Sequence, residues 1–530
     1  MTIGEILTQQ AQLRPDAVAL IDDQANRRLT FAELENAVAH AAQWWIDLGL
    51  ARGQAVLVFV PMSADLYVAL LALFRIGAVA MFLDPSAGEQ HVQRCCERFP
   101  PRAFLGPWKA HLLRLKFRAL RDVPLHVTLN GWMPGARRWP TRWSSRMLKN
   151  NLAEPRDAAL VTFTSGSTGV PKGAVRTHAF LLAQNRALAP SLALEAGEVD
   201  LATLPVFVLA SLAAGITSVI AKVSVQRPGA VDARELFAAI LRHGVTRMTA
   251  SPALFERLIA HSHATGRRLP SLTKLYTGGA PVFPRVLEQL RQMAPNAQVV
   301  AVYGSTEAEP IAHIDARKIA TADLDAMKRG RGLLAGLPVP EIRLAILNDQ
   351  WGQPRAPLSV PAFEAATLRS GEVGEIVVTG DHVLPGYLGG VGDEETKFKV
   401  GDIIWHRTGD AGYLDENGRL WLQGRCSARI KDAGGSLYPF GVECVAMTFP
   451  EVKRAAALSY QGKRLLVIAT EGGDRLTERL LEVTRWAKIE SVLLWADLPM
   501  DKRHNAKVDY PLLTKRLTTN DSVTCWSKRS

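Results

Sequence analysis

Cysteine is scarce in this chain. Five occur in 530 residues, Cys95, Cys96, Cys426, Cys444 and Cys525, at irregular spacing and with no Cys-x-x-Cys accompanied by partner histidines. A disulfide framework and a zinc site are thereby disfavoured, and a reducing, cytoplasmic compartment is the expectation. The start, MTIGEILTQQAQLRPDAVAL, lacks a basic head followed by an apolar run, so no signal peptide is expected there. Uninterrupted apolar runs are also missing. The nearest approach, LYVALLALFRIGAVAMFL at 66–83, is broken by Arg75 and Gly77. It reads as a helix over 66–75, a turn, and a buried strand over 78–83, rather than as a membrane span. No internal repeat and no low-complexity tract occurs.

Acidic residues are nearly absent from one segment. Positions 101–150 hold eleven Lys or Arg against one acid, Asp122, with Trp108, Trp132, Trp139 and Trp143 interleaved, in a chain of net charge +12. A solvated basic face, or charge complementary to an anionic substrate, is the plain reading. A loose peripheral contact with a membrane surface is the alternative. No nucleic-acid motif accompanies the patch, so no nucleic-acid partner is expected.

What is present suits a folded enzyme. Apolar residues make up 48% and charged residues 22%, and 530 residues exceed one hydrophobic core, so at least two domains are expected. Short apolar runs at 55–60, 78–83, 160–164, 218–220 and 299–302 alternate with helical patterns at 30–48, 232–243 and 286–293. This alternation predicts an α/β fold with a large N-terminal domain, 1–424, of layered, largely parallel sheets with helices. After Gly424 the composition changes. Residues 425–530 read as a small α+β domain, with strands in VKRAAALSY, RLLVIAT and ESVLLWA and a helix over 477–488.

The chemistry is most legible at 162–173, TFTSGSTGVPKG. A buried strand runs into a loop of glycines and hydroxyls. Gly166, Gly169 and Gly173 allow the backbone to approach a ligand closely, and the loop amides can form an anion-binding concavity. Thr164, Ser165, Ser167 and Thr168 add hydroxyl donors, and Lys172 adds a compact charge suited to a phosphate. The Walker A pattern is absent, yet everything in the segment fits a polyphosphate cradle.

This segment resembles the phosphate loop of the adenylate-forming superfamily of acyl-CoA synthetases, peptide-synthetase adenylation domains and luciferases. Further motifs follow the superfamily's order: LTFAEL at 29–34, LFRIGAVAMFLDP at 73–85, TGGAP at 277–281, YGSTE at 303–307, GEVGEIVVTGDHVLPGY at 371–387 and HRTGD at 406–410. The resemblance implies a small, mobile C-terminal lid and the following roles. Gly278, Gly279, Ala280 and Pro281 lie beneath the adenine. Tyr303, Gly304 and Ser305 pack on it. Thr306 sits near the α-phosphate and Glu307 near magnesium. Asp410 accepts both ribose hydroxyls, and Arg425 stands near the ribose at the domain junction. A carboxylate can accept two donors at once, and magnesium needs only one or two protein oxygens beside substrate phosphates. Alone, Asp410 reads as a turn residue and Glu307 as a surface charge; seven motifs in order argue otherwise.

Two departures refine the resemblance. At the hinge position, where Asp or Lys is usual, the chain has Ser427. Near the end, PMDKRHNAKV at 499–508 aligns Lys507 with the superfamily's bridging lysine but replaces the commoner Arg-Thr-x-Ser-Gly-Lys wording. With AGGSLYPFGVE at 433–443 and DLATLPVFVLASLAAGITSVI at 200–220, these look most like the β-lactone synthetases of bacterial olefin biosynthesis. The resemblance implies ATP-dependent activation of a fatty, β-hydroxy acid to an acyl-AMP, followed by lactone closure. Coenzyme A or an acyl carrier protein is the alternative acceptor, since Gly434 and Gly435 permit a thiol path, and other pathway enzymes are conceivable partners. A non-catalytic nucleotide-binding protein of the same fold is the alternative of another class. Val206, Phe207 and Val208, with Ala280–Val282, are expected to line an apolar acyl pocket. The catalytic set is thus Lys507, Lys172, Thr306 and Glu307; His178 and His313 read as ordinary polar histidines.

Overall fold

The computed structural model describes residues 1–165, 170–223, 228–473, 475–500 and 508–519. The chain divides into two compact units. One comprises residues 1–223, 242–247 and 384–394; the other comprises 224–241, 248–383 and 395–530.

The first unit follows the expected α/β plan. A seven-stranded sheet runs in the order 137–138, 125–128, 101–106, 55–58, 79–82, 158–165 and 171–177, parallel except for its last pair. A second set places Val199–Leu201 beside Thr217–Ile220 and then Val18–Asp22, all parallel, with Arg27–Thr30 antiparallel at the edge. Helix Phe31–Asp47 opens with a capping box: Thr30 Oγ1 accepts from Glu33 N, and the Glu33 carboxylate accepts from Thr30 N. The interrupted apolar run resolves as helix Ala64–Ile76, a left-handed Gly77 and strand Val79–Phe82. Arg75 is buried there because the Glu35 carboxylate accepts its Nη2 at 2.6 Å. No described helix is long and apolar enough to cross a membrane.

In its larger sheet the second unit shows parallel pairing at the start. Lys274–Gly278 runs parallel to Gln298–Ser305, with helix Pro284–Met293 as the crossover. From there the described ladder is antiparallel, through Ala308–Asp315, Leu333–Pro338, Leu420–Arg425, Ile403–Leu414, Gly374–Thr379 and Arg343–Leu347. The α/β class therefore holds, but the ladder from 298 to 425 is antiparallel, and parallel pairing returns between Lys463–Ala469 and Ser491–Trp495. Tight connections such as Ser305–Ala308 leave no room for the helix that a parallel return requires.

Residues after 425 build a three-stranded sheet of Arg454–Tyr460, Lys463–Ala469 and Ser491–Trp495, as expected. The helix expected over 477–488 is shorter, Leu476–Val483. Thr484 Oγ1 turns back onto the Leu480 carbonyl at 2.6 Å, and Lys488 adopts a left-handed conformation, so the chain tightens into a 3₁₀ turn. The Glu443 carboxylate lies in this part of the chain. It accepts from Ala457 N at 3.0 Å and from the Tyr510 hydroxyl.

Burial pushes Glu443 up from 4.5 to about 7. Its folded-state affinity for a proton exceeds its unfolded one. The associated stability is present below the unfolded value and is lost as pH rises through about 7. Glu443→Gln should abolish a loss of about 3 kcal/mol across that window, read by urea unfolding on either side of it. Parallel pH profiles for the two proteins would contradict this.

Candidate active site

The glycine- and hydroxyl-rich segment begins on strand Ala158–Ser165 and returns on Pro171–Thr177, so that Thr164 stands opposite Lys172 and Phe163 opposite Gly173. Gly166, Ser167, Thr168 and Gly169 lie outside the described residues, as does Lys507. Lys172 is buried, and its Nζ lies 5.8 Å from the centre of the Tyr387 ring. Residues 386–393 fold over this lysine: Tyr387 N donates to Asp393 Oδ1 at 2.9 Å, and Ala174 bridges to Tyr387. A Cβ on Gly392 would lie 2.6 Å from Lys172 Cε, at a backbone φ of +99°, so both space and conformation demand glycine. Tyr387 and Gly392 were not singled out from the sequence, although Tyr387 closes the quoted 371–387 motif.

The second unit assembles a separate polar cluster. Strand Gln298–Ser305 carries Tyr303, Gly304 and Ser305 to a tight connection with Ala308–Asp315, and Thr306 and Glu307 occupy that connection. Strand Ile403–Leu414 carries Asp410, directly across the ladder from Arg425 on Leu420–Arg425. The Tyr303 hydroxyl donates to Asp410 Oδ2 at 2.8 Å, and Arg425 Nη1 stands 3.1 Å from Oδ1. Burial and the facing carboxylate push the Tyr303 phenol well up, so it stays a neutral donor. Glu307 acts electrostatically on the same Arg425, which places the three groups in one field. Gly278 ends strand Lys274–Gly278, next to Val302, and Gly279, Ala280 and Pro281 continue from it as a bend and loop.

What holds Asp410 is mostly out of solvent. Asp410 N donates to Thr408 Oγ1 at 3.1 Å, and Thr408 Oγ1 donates to the Ile376 carbonyl at 2.9 Å. Gly409 has φ +71°, and a Cβ there would lie 2.8 Å from the Trp351 ring. Beneath it, Arg407 is 0% exposed and forms a fork-to-fork pair with Glu375, also 0% exposed, both bonds 2.9 Å. Arg407 Nη1 also donates to the Gln353 carbonyl at 2.7 Å. Arg407 stood inside the quoted HRTGD motif and Glu375 inside the quoted 371–387 motif, but neither signalled a supporting role, because an ion pair is invisible until both strands are placed.

The remaining expected positions fall as follows. Ser427 is exposed in the 3₁₀ turn Cys426–Ala428, just past Arg425. Its flanks converge on Asp349, which takes Tyr438 OH at 2.7 Å and Arg429 Nη1 at 3.0 Å. Helix Pro205–Ala213 carries Val206, Phe207 and Val208; Val208 packs into the core of the first unit with Leu212, Phe207 is buried and Val206 half-buried. His178 is fully buried, accepts from Ile3 N at 3.4 Å and is pushed down to about 4 by burial, and burial also lowers His313.

Among the described residues no three His, Cys, Asp or Glu side chains gather as a metal cage. A single carboxylate such as Glu307 nevertheless fits magnesium, which keeps waters and substrate phosphates as its other ligands.

This arrangement defines an adenylate-forming enzyme, and comparison with known proteins agrees. A profile for the AMP-binding enzymes matches residues 7–388. An olefin β-lactone synthetase of Stenotrophomonas maltophilia is 34% identical over 493 residues, 87% of this chain and 86% of that protein. One from Xanthomonas campestris pv. campestris is 32% identical over 544 residues, 96% of this chain and 95% of that protein. Among solved structures, the amide bond synthetase McbA of Marinactinospora thermotolerans superposes with a TM-score of 0.79 at 21% identity, covering 98% of this chain and all of that one, a likeness of fold. The chain belongs to the AMP-binding enzyme family and is an AMP-forming acyl ligase. Enzymes of this family use ATP and magnesium.

Replacing Arg407 by Met would take both close bonds from the buried Glu375 carboxylate and leave it only Arg355, 3.9 Å away. Arg407→Met should cost about 3–5 kcal/mol in urea unfolding, against about 1 kcal/mol for Tyr303→Phe, which loses one hydrogen bond. Equal effects would contradict the supporting role given to the ion pair.

Proposed function

We propose that this enzyme adenylates a fatty, β-hydroxy carboxylic acid and then closes the acyl-AMP to a β-lactone. The observation that carries the adenylation half is the Tyr303–Asp410–Arg425 constellation. Asp410 has about four lone-pair directions and spends two of them on these partners. The remainder can accept the two ribose hydroxyls, while Tyr303 offers its ring face to the adenine. Gly278, Gly279, Ala280 and Pro281 would border the base with Gly304 and Ser305, and Thr306 would border the α-phosphate. Glu307 would hold magnesium, which supplies charge neutralisation along the triphosphate.

Thr164, Ser165, Gly166, Ser167, Thr168 and Gly169 would cradle the β- and γ-phosphates, with Lys172 as the point charge. Lys507, at the position of the bridging lysine, would gather the carboxylate and the α-phosphate for in-line attack, after which pyrophosphate leaves. Positioning and charge neutralisation supply most of the acceleration, and no enzyme nucleophile is needed. Residues 1–424 would carry the ATP and acyl sites, and 425–530 would move as the lid about Ser427. The helix carrying Val206, Phe207 and Val208 presents no charged side chain, which suits an alkyl chain.

Lactone closure needs only the substrate. Its β-hydroxyl oxygen attacks the acyl carbonyl, the C–O bond to AMP breaks, and the hydroxyl proton is released. Two nearly full-length relatives named olefin β-lactone synthetases support this second step over transfer to coenzyme A. The four described cysteines are free and buried, in keeping with a reducing cytoplasm.

The test is product identity. With ATP, magnesium and a β-hydroxy fatty acid, mass analysis should find free lactone whether or not coenzyme A is present. A thioester formed only when the thiol is added would replace lactone closure by a ligase reaction. Lys507→Ala should lower adenylation by on the order of 100-fold with an unchanged unfolding midpoint, and Asp410→Ala should raise the KM for ATP. Wild-type rates in Lys507→Ala would remove that lysine from the mechanism.

A further inference from the structure

The basic segment at 101–150 does not behave uniformly. Two of its four tryptophans turn inward: Trp139 meets Trp44 edge-on at 5.4 Å between ring centres and Trp143 at 5.4 Å, and Trp143 stacks on His40. The other two do not. A short helix, Trp108–His111, continues as a 3₁₀ turn, Leu112–Leu115. Trp108, Leu112 and Leu115 recur along it at i, i+4 and i+7, the spacing of one helical face. That face is exposed, up to 83% at Leu115, while His111 turns inward and bonds the Val127 carbonyl at 3.0 Å. Ala110 and Leu113 pack inward on the core, so the segment is apolar on both faces, whereas a surface helix ordinarily turns a polar face to water.

Trp132, 72% exposed, extends the same knob. Its neighbour Gly131 packs so closely on Trp108 that a Cβ there would lie 2.8 Å from the ring, and Arg114 Nη1 holds the loop by the Pro134 carbonyl at 3.3 Å. Lys109, Arg114, Lys116, Arg118 and Arg121 are interleaved with or follow these apolar groups in the chain, and Lys109 Nζ lies 5.7 Å from the Trp108 ring centre. The segment's one acid, Asp122, is already taken by Arg118 at 3.2 Å.

We propose that this knob docks the enzyme on an anionic lipid surface. Exposed tryptophan and leucine gain from the headgroup–acyl boundary, and the basic rim gains from anionic headgroups. Two aliphatic side chains at the centre gain nothing from stacked bases, so the chemistry favours lipid over nucleic acid. The contact is peripheral, and it is independent of which acid the enzyme activates.

The full chain should float with vesicles of phosphatidylcholine and phosphatidylglycerol but not with phosphatidylcholine alone, and salt should release it. Brominated lipids should quench part of the tryptophan emission of the unaltered protein, a readout that needs no variant. Leu115→Ser with Trp132→Ser, and separately Lys109→Glu with Lys116→Glu, should each lower vesicle partition at least about tenfold, with the thermal midpoint and adenylation of a soluble acid retained. Absence of flotation, equal flotation on neutral vesicles, or variants that float as wild type would overturn the proposal. So would displacement by an oligonucleotide, or a wild-type dimer in sedimentation velocity that the apolar variant dissolves.

Discussion

A buried ion pair sets the geometry of the second unit's site. Arg407 and Glu375 sit side by side on adjacent antiparallel strands, wholly out of water, with two parallel bonds between them. Such a pair repays its desolvation only when the geometry is good and the remaining donors are met, and here main-chain carbonyls meet them. Its value lies less in stability than in position. Three residues further along the same strand, Asp410 faces Tyr303 and Arg425. The main chain between runs through Thr408 and the left-handed Gly409, pinned against Trp351. A carboxylate meant to accept two hydroxyls must not wander, and this strand gives it little freedom.

Electrostatics is handled differently in the first unit. The strand pair and the 386–393 loop enclose the stem of Lys172, with Tyr387 beneath its charge and Gly392 against its chain. A lysine beside a glycine- and hydroxyl-rich turn suits a polyphosphate contact. Buried charge is neutralised within the fold where Arg75 interrupts an apolar helix and is met by Glu35.

Much of this was legible in order along the chain. The strand entering the loop after 164, the helix from 30 and the break at Gly77 are local signals, and local signals survive folding. The family motifs located Asp410, Glu307 and Tyr303 before any contact was visible. What was not legible depends on partners distant in sequence. The antiparallel ladder after residue 305 carries the same β-rich pattern as a parallel one. The Arg407–Glu375 pair, 32 residues apart, emerges only when two strands are laid together. The premature end of the helix at Val483 comes from a threonine hydroxyl bonding backward, a choice that periodicity does not encode. Likewise the four tryptophans of the basic segment look equivalent in sequence, and only packing separates Trp139 and Trp143 from Trp108 and Trp132.

The account's central claim is chemical: a carboxylic acid attacks the α-phosphate of ATP and the step is reversible on the enzyme. Exchange of labelled pyrophosphate into ATP measures that step alone, without reference to the acceptor that follows. The account predicts exchange that appears only when a fatty or β-hydroxy fatty acid is added. ATP binding without exchange across a panel of such acids would contradict it.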